Sequence, residues 1–158
     1  MCARAIRRMI FDIRKISLPV DGMDELCNEA RSEGYEFIDR LVREWDSGVN
    51  RFGATGEALC GCIENERIIA IGGLNCDPFA ARAEVGRIRR VYVRAERRGC
   101  GVGEALVARL IEEARNSFMV VRLRAVSPRA AKFYERLGFE PLEDASATHS
   151  LLLSGLAD

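Results

Sequence analysis

The sequence predicts an α/β protein of the α+β kind, with a mixed, mostly antiparallel sheet of about seven strands flanked by about four helices. Three observations lead there. Two apolar runs at residues 58–63 and 67–74 are separated by the polar pair Asn65-Glu66, which is a hairpin signal. A helical period at residues 102–117 follows one strand-like run and precedes another, which is the pattern of a strand-helix-strand crossover. Turn-joined strands pair antiparallel and a crossover pairs strands in parallel, so both together give a mixed sheet.

Taken in order, residues 9–17 mix apolar and charged positions and stop at Leu18-Pro19, which suits a first strand closed by a turn. Asp21 or Asp24 is placed to cap a helical region through Leu26, Ala30, Phe37, Ile38, Leu41 and Trp45, which Gly34 divides into two helices. Residues 46–56 read as loop, and the hairpin follows. Residues 84–93 form the next strand, where Arg87, Arg89 and Arg90 cannot share one face by strict alternation, so a bulge is expected. In the helix at 102–117, Val102, Leu106, Leu110, Ile111 and Ala114 make one apolar face, while Glu104, Glu112, Glu113 and Arg115 face water. Residues 119–126 are a strand. Ser127-Pro128 opens a helix, with serine as cap and proline in the first turn, and Gly138 is placed to end it. Residues 139–142 and 148–153 read as two closing strands.

The 158 residues are most simply one domain covering residues 1–158. Lys+Arg and Asp+Glu each total 24, so no global field argues for nucleic acid or a membrane surface as partner. Six cysteines, at 2, 27, 60, 62, 76 and 100, have no C-x-x-C spacing, and His149 is the only imidazole. That excludes an evident zinc site and suggests reduced thiols, so no metal is expected. The basic N-terminal segment has no uninterrupted apolar stretch of the signal-peptide kind, and no run nears the ~18 apolar residues of a membrane span. The expectation is a soluble, cytoplasmic protein.

Two stretches carry chemistry. Arg97-Arg98-Gly99-Cys100-Gly101-Val102-Gly103 follows a strand and opens a helix, and Ala130-Ala131-Lys132-Phe133-Tyr134-Glu135-Arg136-Leu137-Gly138-Phe139 comes roughly thirty residues later. Glycines at a helix start let an anion approach backbone N–H groups that the helix leaves unpaired. A nucleotide P-loop would need G-K-[ST], but Glu104 follows Gly103. A dinucleotide fingerprint would need glycine at 104 and an early position in the domain.

With Arg98, Gly101 and Gly103 meeting the pattern Q/R-x-x-G-x-G/A, and Tyr134 in the later motif, the chain resembles the GNAT superfamily of acyl-CoA-dependent N-acetyltransferases over nearly its whole length. The resemblance implies a GNAT-like sheet and acetyl-CoA as cosubstrate. Residues Arg98, Gly99, Cys100, Gly101, Val102, Gly103 and Glu104 would wrap its pyrophosphate, with a charge-assisted bond from the Arg98 side chain. Val91, Tyr92 and Val93 would pair their backbone with the pantetheine arm, and a backbone N–H near Val91 would stabilise the thioester oxyanion. Ser127 stands where the family often has Asn contacting the cofactor, and Lys132 faces the same region. Cys100 occupies a position whose side chain the motif does not specify.

The implied reaction is direct attack of a primary amine in a ternary complex. Tyr134 would protonate the leaving thiolate and Glu84, where several resembling proteins place a carboxylate, would take the amine proton. The acceptor pocket would be framed by the first two helices and last strands, near Tyr35, Trp45, Asn50, Arg51, Phe52 and His149. Of these, Trp45 reads as core and His149 as a packed strand residue. The acceptor itself, a small amine or a peptide, is not readable, and protein N-terminal or lysine acetylation and a non-catalytic acyl-CoA sensor remain alternatives. A homodimer through the terminal strands is also left open.

Overall fold

A computed structural model describes residues 10–153; Cys2 and residue 9, the expected start of the first strand, lie outside them. The strands are β1 (Asp12–Lys15), β2 (Ala58–Glu64), β3 (Arg67–Cys76), β4 (Val85–Val93), β5 (Val120–Leu123), β6 (Glu140–Pro141) and β7 (His149–Leu152), and the helices are α1 (Met23–Ser32), α2 (Phe37–Ser47), α3 (Val102–Arg115) and α4 (Pro128–Arg136). The seven strands form one sheet in the order β1-β2-β3-β4-β5-β7-β6. Pairs β1/β2, β5/β7 and β6/β7 are antiparallel and β4/β5 is parallel, so the expected mixed α+β fold is present.

Contacts within the chain gather into two compact units. The first is built from the segment up to Arg51 with Leu59–Gly72 and Arg90–Arg109. Here α1 buries Leu26 and Ala30 and α2 buries Ile38 and Leu41, the i and i+3/i+4 positions that the sequence pattern marks. Gly34, with φ 90°, breaks the helical run as expected. The cap of α1 differs from expectation: neither Asp21 nor Asp24 caps it. Gly22 does, at φ 91° and without a side-chain bond, because a Cβ there would stand 3.0 Å from the Ile68 nitrogen. The Asp21 carbonyl accepts from that same N–H at 2.8 Å, fixing the entry to the helix against β3.

The second unit is built from Phe52–Ala58, Gly73–Arg89 and the segment from Leu110 onward. Phe118 is its largest fully buried side chain, and a Cβ on Gly86 of β4 would fall 2.7 Å from that ring. In the same way a Cβ on Gly73 would fall 2.3 Å from Phe52. These glycines are required by close packing rather than by backbone handedness. Strand β5 is shorter than the expected 119–126, because the chain turns toward β7 after Leu123: the Ala125 N–H donates to Thr148 Oγ1 at 2.8 Å and the Thr148 N–H to the Leu123 carbonyl at 2.9 Å. Among the described residues no two cysteines form a disulfide.

Candidate active site

The irregularity expected in β4 falls at Arg90, a non-glycine residue at φ 61°. A residue of that handedness resets the side-chain alternation, as a bulge does. Before it, Val85–Arg87 pair in register with Val120–Arg122 of β5. Strand β5 ends at Leu123 whereas β4 runs on to Val93. Val91, Tyr92 and Val93 therefore lie beyond the register with β5, on a stretch of strand whose backbone can receive an extended arm.

The chain then makes a single 3-10 turn, Ala95–Arg97, and passes through Gly99 (φ 81°) and Gly101 (φ 94°) into α3. Both glycines need the left-handed region, which a side chain strains. Among the described residues a Cβ on Gly99 would meet nothing within 4 Å, and one on Gly101 only the Phe11 ring, at 3.6 Å. Among those residues, backbone handedness and not crowding keeps them glycine. Helix α3 is 14 residues long, and its first N–H groups and dipole point toward that turn. Val102 is buried and anchors the turn, Cys100 and Gly103 are half-buried, and Glu104 is exposed.

Arg98 is engaged with its own unit. Its Nη1 and Nη2 donate to Glu33, the residue that caps the C-terminus of α1, at 2.9 and 2.6 Å, its Nε donates to the Val93 carbonyl at 3.0 Å, and its guanidinium lies 5.3 Å from the Tyr92 ring centroid. Its backbone N–H is taken up by the Ala95 carbonyl. The Tyr92 hydroxyl turns to the same helix, 2.5 Å from Glu33 Oε1 and 2.8 Å from Glu29 Oε1. Burial, then those carboxylates, push the Tyr92 phenol far above its ordinary value, while the Arg98 and Tyr92 hydrogen bonds hold the Glu33 carboxyl below its own. None of these α1 carboxylates had a signal in the sequence beyond that of a polar helix face.

In the second unit, the Ser127 Oγ accepts from the Ala130 N–H at 3.1 Å and caps α4 as expected. Lys132 is exposed on that helix. Tyr134 is buried between two rings, 5.0 Å from Phe133 and 5.6 Å from Phe139, both edge-on. Among the described residues its hydroxyl has no hydrogen-bond partner. Burial raises its pKa well above the ordinary phenol value, so it stays protonated through the neutral range.

Glu84 immediately precedes β4 and is half-buried; the hydrogen bond from Arg82 Nε, at 2.9 Å, keeps its carboxyl below the usual range, which weakens it as a base. His149 is buried, its Nε2 2.8 Å from Glu135 Oε2 and its Nδ1 2.8 Å from Thr148 Oγ1. That matches a packed strand residue. Trp45, expected in the core, is only half-buried, and its carbonyl accepts from Arg51 Nε at 2.8 Å. The Tyr35 ring lies tilted to Phe37 with centroids 5.5 Å apart, and Phe37 meets Tyr92 edge-on at 6.4 Å. Also without a sequence signal is the buried Asp77 carboxylate, which takes Arg122 at 2.9 Å and Arg87 at 3.4 Å.

Among the described residues no cluster of His, Cys, Asp and Glu could hold a metal, and no helix is long and apolar enough to cross a membrane. Residues 56–141 match the model of the acetyltransferase (GNAT) domain. The chain is similar to a candidate acetyltransferase from Exiguobacterium sp. 255-15, at 28% identity and a TM-score of 0.81, over 91% of this chain and 94% of that one. It shares the fold of the PaiA N-acetyltransferase from Thermoplasma acidophilum, solved with coenzyme A, at 17% identity and a TM-score of 0.66 over 92% and 100% of the two chains. It shares it also with a point mutant of the AtaT toxin, solved with the C-terminus of the AtaR antitoxin and acetyl-CoA, at 17% identity and a TM-score of 0.67 over 90% and 92%. The matched domain takes in more than half of the sequence, including β4, the glycine turn, α3 and α4, and the chain belongs to the GNAT acetyltransferase family.

Proposed function

We propose that the protein, acting as one catalytic domain, transfers the acetyl group of acetyl-CoA to a primary amine by direct attack in a ternary complex. The observation that supports this most is the left-handed pair Gly99 and Gly101 at the start of α3, which no side chain of the described residues crowds. Amides at that turn and the first turn of α3, from Gly99 to Glu104, hold the pyrophosphate, and the helix dipole favours its charge. Val91, Tyr92 and Val93 offer their backbone to the pantetheine arm, and an N–H near Val91 stabilises charge on the thioester oxygen. Ser127 and Lys132 contribute a hydroxyl and a cation toward the cofactor.

Acetyl-CoA supplies an activated acyl group whose leaving sulfur departs as a thiolate, with a conjugate acid near pKa ~8.5 by analogy with cysteine. Tyr134, kept protonated by burial, donates a hydrogen bond to that sulfur as charge develops and gives it its own phenolic proton, which solvent then restores. Glu84 takes part in removing the amine proton, with a contribution limited by its Arg82 partner. The bond formed is the amide C–N and the bond broken is C–S; the Tyr134 proton ends on sulfur, the proton lost from nitrogen passes through Glu84 to water, and water returns one to the Tyr134 phenolate.

The test is a screen of labelled acetyl-CoA against primary amines, amino acids and peptides. Transfer to at least one amine, with release of one thiol per acetyl group, is the expected result. Coenzyme A binding with transfer to no acceptor would replace this reading with a non-catalytic sensor, and acetylation confined to peptide N-termini or lysines would make the protein a protein acetyltransferase.

A further inference from the structure

The turn that opens α3 is set in place by carboxylates from elsewhere in the first unit. Glu33 takes both terminal nitrogens of Arg98, at 2.6 and 2.9 Å. Glu29 Oε1, one helical turn earlier, accepts from the Ala95 N–H at 2.8 Å, which pins the first residue of the 3-10 turn. The Tyr92 hydroxyl lies within bonding distance of both carboxylates and so ties the last turn of α1 to β4 as well. Arg97, between these anchors, pairs with Glu64 of β2. Arg94 extends the set toward Glu25 at 3.6 Å and Glu29 at 3.9 Å.

Charge accounting gives this arrangement a meaning. Carboxylates this close to a pyrophosphate turn repel the anion unless arginines offset them. Here Glu33 pairs with Arg98, Glu64 with Arg97 and Glu25 with Arg67 of β3, and Arg94 lies 3.6 to 3.9 Å from Glu25, Glu29 and Glu96. The arginine of the motif is thus committed to α1, and all three of its side-chain nitrogens donate to protein oxygens. An anion arriving at Gly99 and Gly101 meets amides held in one orientation, which costs less ordering entropy than meeting a loop that must first be organised.

We infer that Glu33, assisted by Glu29, is a positioning residue for coenzyme A binding: it acts through Arg98 and the Ala95 N–H to preset the 95–101 turn, and Arg98 serves as the turn's tether rather than as a phosphate ligand. This rests on the acyl-CoA reading above. It separates from the usual expectation for a carboxylate near an anion site, because the two accounts predict opposite signs. If Glu33 merely competes with the phosphate for Arg98, neutralising it releases the guanidinium and tightens binding. If Glu33 presets the turn, neutralising it loosens binding.

The experiment is calorimetric titration of coenzyme A into the wild type, Glu33→Gln, Arg98→Ala, the double variant, and Asp39→Asn. The last removes a comparable half-exposed pair, Arg31–Asp39, that touches no residue of the turn. Amide hydrogen exchange over residues 95–101 is measured without ligand. The expected result is about fivefold to tenfold weaker binding in Glu33→Gln, the lower end of what a charge-assisted bond supplies once solvent exposure is discounted. The double variant should be no weaker than the worse single one, exchange over 95–101 should rise about tenfold, and Asp39→Asn should match wild type. In turnover, KM for acetyl-CoA should rise with kcat unchanged. Tighter binding by Glu33→Gln, unchanged exchange in the turn, or an equal loss in Asp39→Asn would each overturn the inference. A wild type that does not bind coenzyme A would instead contradict the acyl-CoA reading; exchange over 95–101 would still decide whether Glu33 presets the turn.

Discussion

Tyr92 and Tyr134 are both buried phenols, and burial raises both above the ordinary phenol value, yet their hydroxyls meet opposite fates. Tyr92 is held by Glu33 at 2.5 Å and Glu29 at 2.8 Å, and its ring carries Arg98 on its face. Tyr134 lies among the rings of Phe133 and Phe139, with no hydrogen-bond partner for its hydroxyl among the described residues. A raised pKa alone therefore does not mark a proton donor for chemistry. What distinguishes the two is whether the donor is already used: Tyr92 braces structure, and Tyr134 keeps its proton for a ligand.

The largest expected effect is on the Tyr134 side. Tyr134→Phe should lower kcat by roughly 10²-fold while coenzyme A affinity and melting temperature stay near wild type, because it removes a positioned donor and no protein hydrogen bond. Next is the glycine turn: Gly101→Val places a β-branched residue at φ 94° and should cost coenzyme A affinity at least about tenfold, read by calorimetry. Tyr92→Phe should reverse the Tyr134 pattern, losing about 1 kcal/mol of stability in denaturant unfolding with kcat unchanged, since the single phenol proton shared between Glu33 and Glu29 is lost. Glu84→Gln should be the mildest, with kcat lowered less than about threefold, as expected of a half-buried carboxylate already stabilised as its anion by Arg82.

Titration sharpens the contrast. The folded Glu33 carboxyl ionises below its ordinary value of 4.5, so its contribution is fully present above that value and is lost as pH falls through the depressed folded one. Acid melts of the wild type should show that loss, and Tyr92→Phe should show less of it because one of the bonds holding Glu33 ionised is gone. Tyr134→Phe should leave the acid limb unchanged. At the alkaline end both phenols act alike: folded values raised above the ordinary 10 mean stability declines as pH climbs past 10, and each substitution removes its share.

The elements that position the site were legible in local patterns. The apolar face of α3, the Ser127-Pro128 start of α4 and the breaker Gly34 each announce themselves within a few residues, and three arginines that alternation could not place pointed to the part of β4 where Arg90 takes φ 61°. The bracing of the turn was not legible, because Glu29 and Ala95 are 66 positions apart and Glu33 and Arg98 are 65. On α1 those glutamates look like any solvated face. The same holds for Glu135 and His149, 14 positions apart across a turn and a strand. Gly22 displaced the expected aspartate cap for a reason that only the fold contains, the close approach of Ile68. Trp45 failed as a core prediction because ring size and helical position do not say which side a neighbour will cover.

The central claim is that Tyr134, not Tyr92, supplies the proton to the leaving sulfur. It is tested most directly by single-turnover acetyl transfer in wild type, Tyr134→Phe and Tyr92→Phe, each saturated with acetyl-CoA and with an amine identified in the screen. The account predicts a transfer rate about 10²-fold lower in Tyr134→Phe and near wild type in Tyr92→Phe. An unchanged rate in Tyr134→Phe, or the larger loss in Tyr92→Phe, would contradict it.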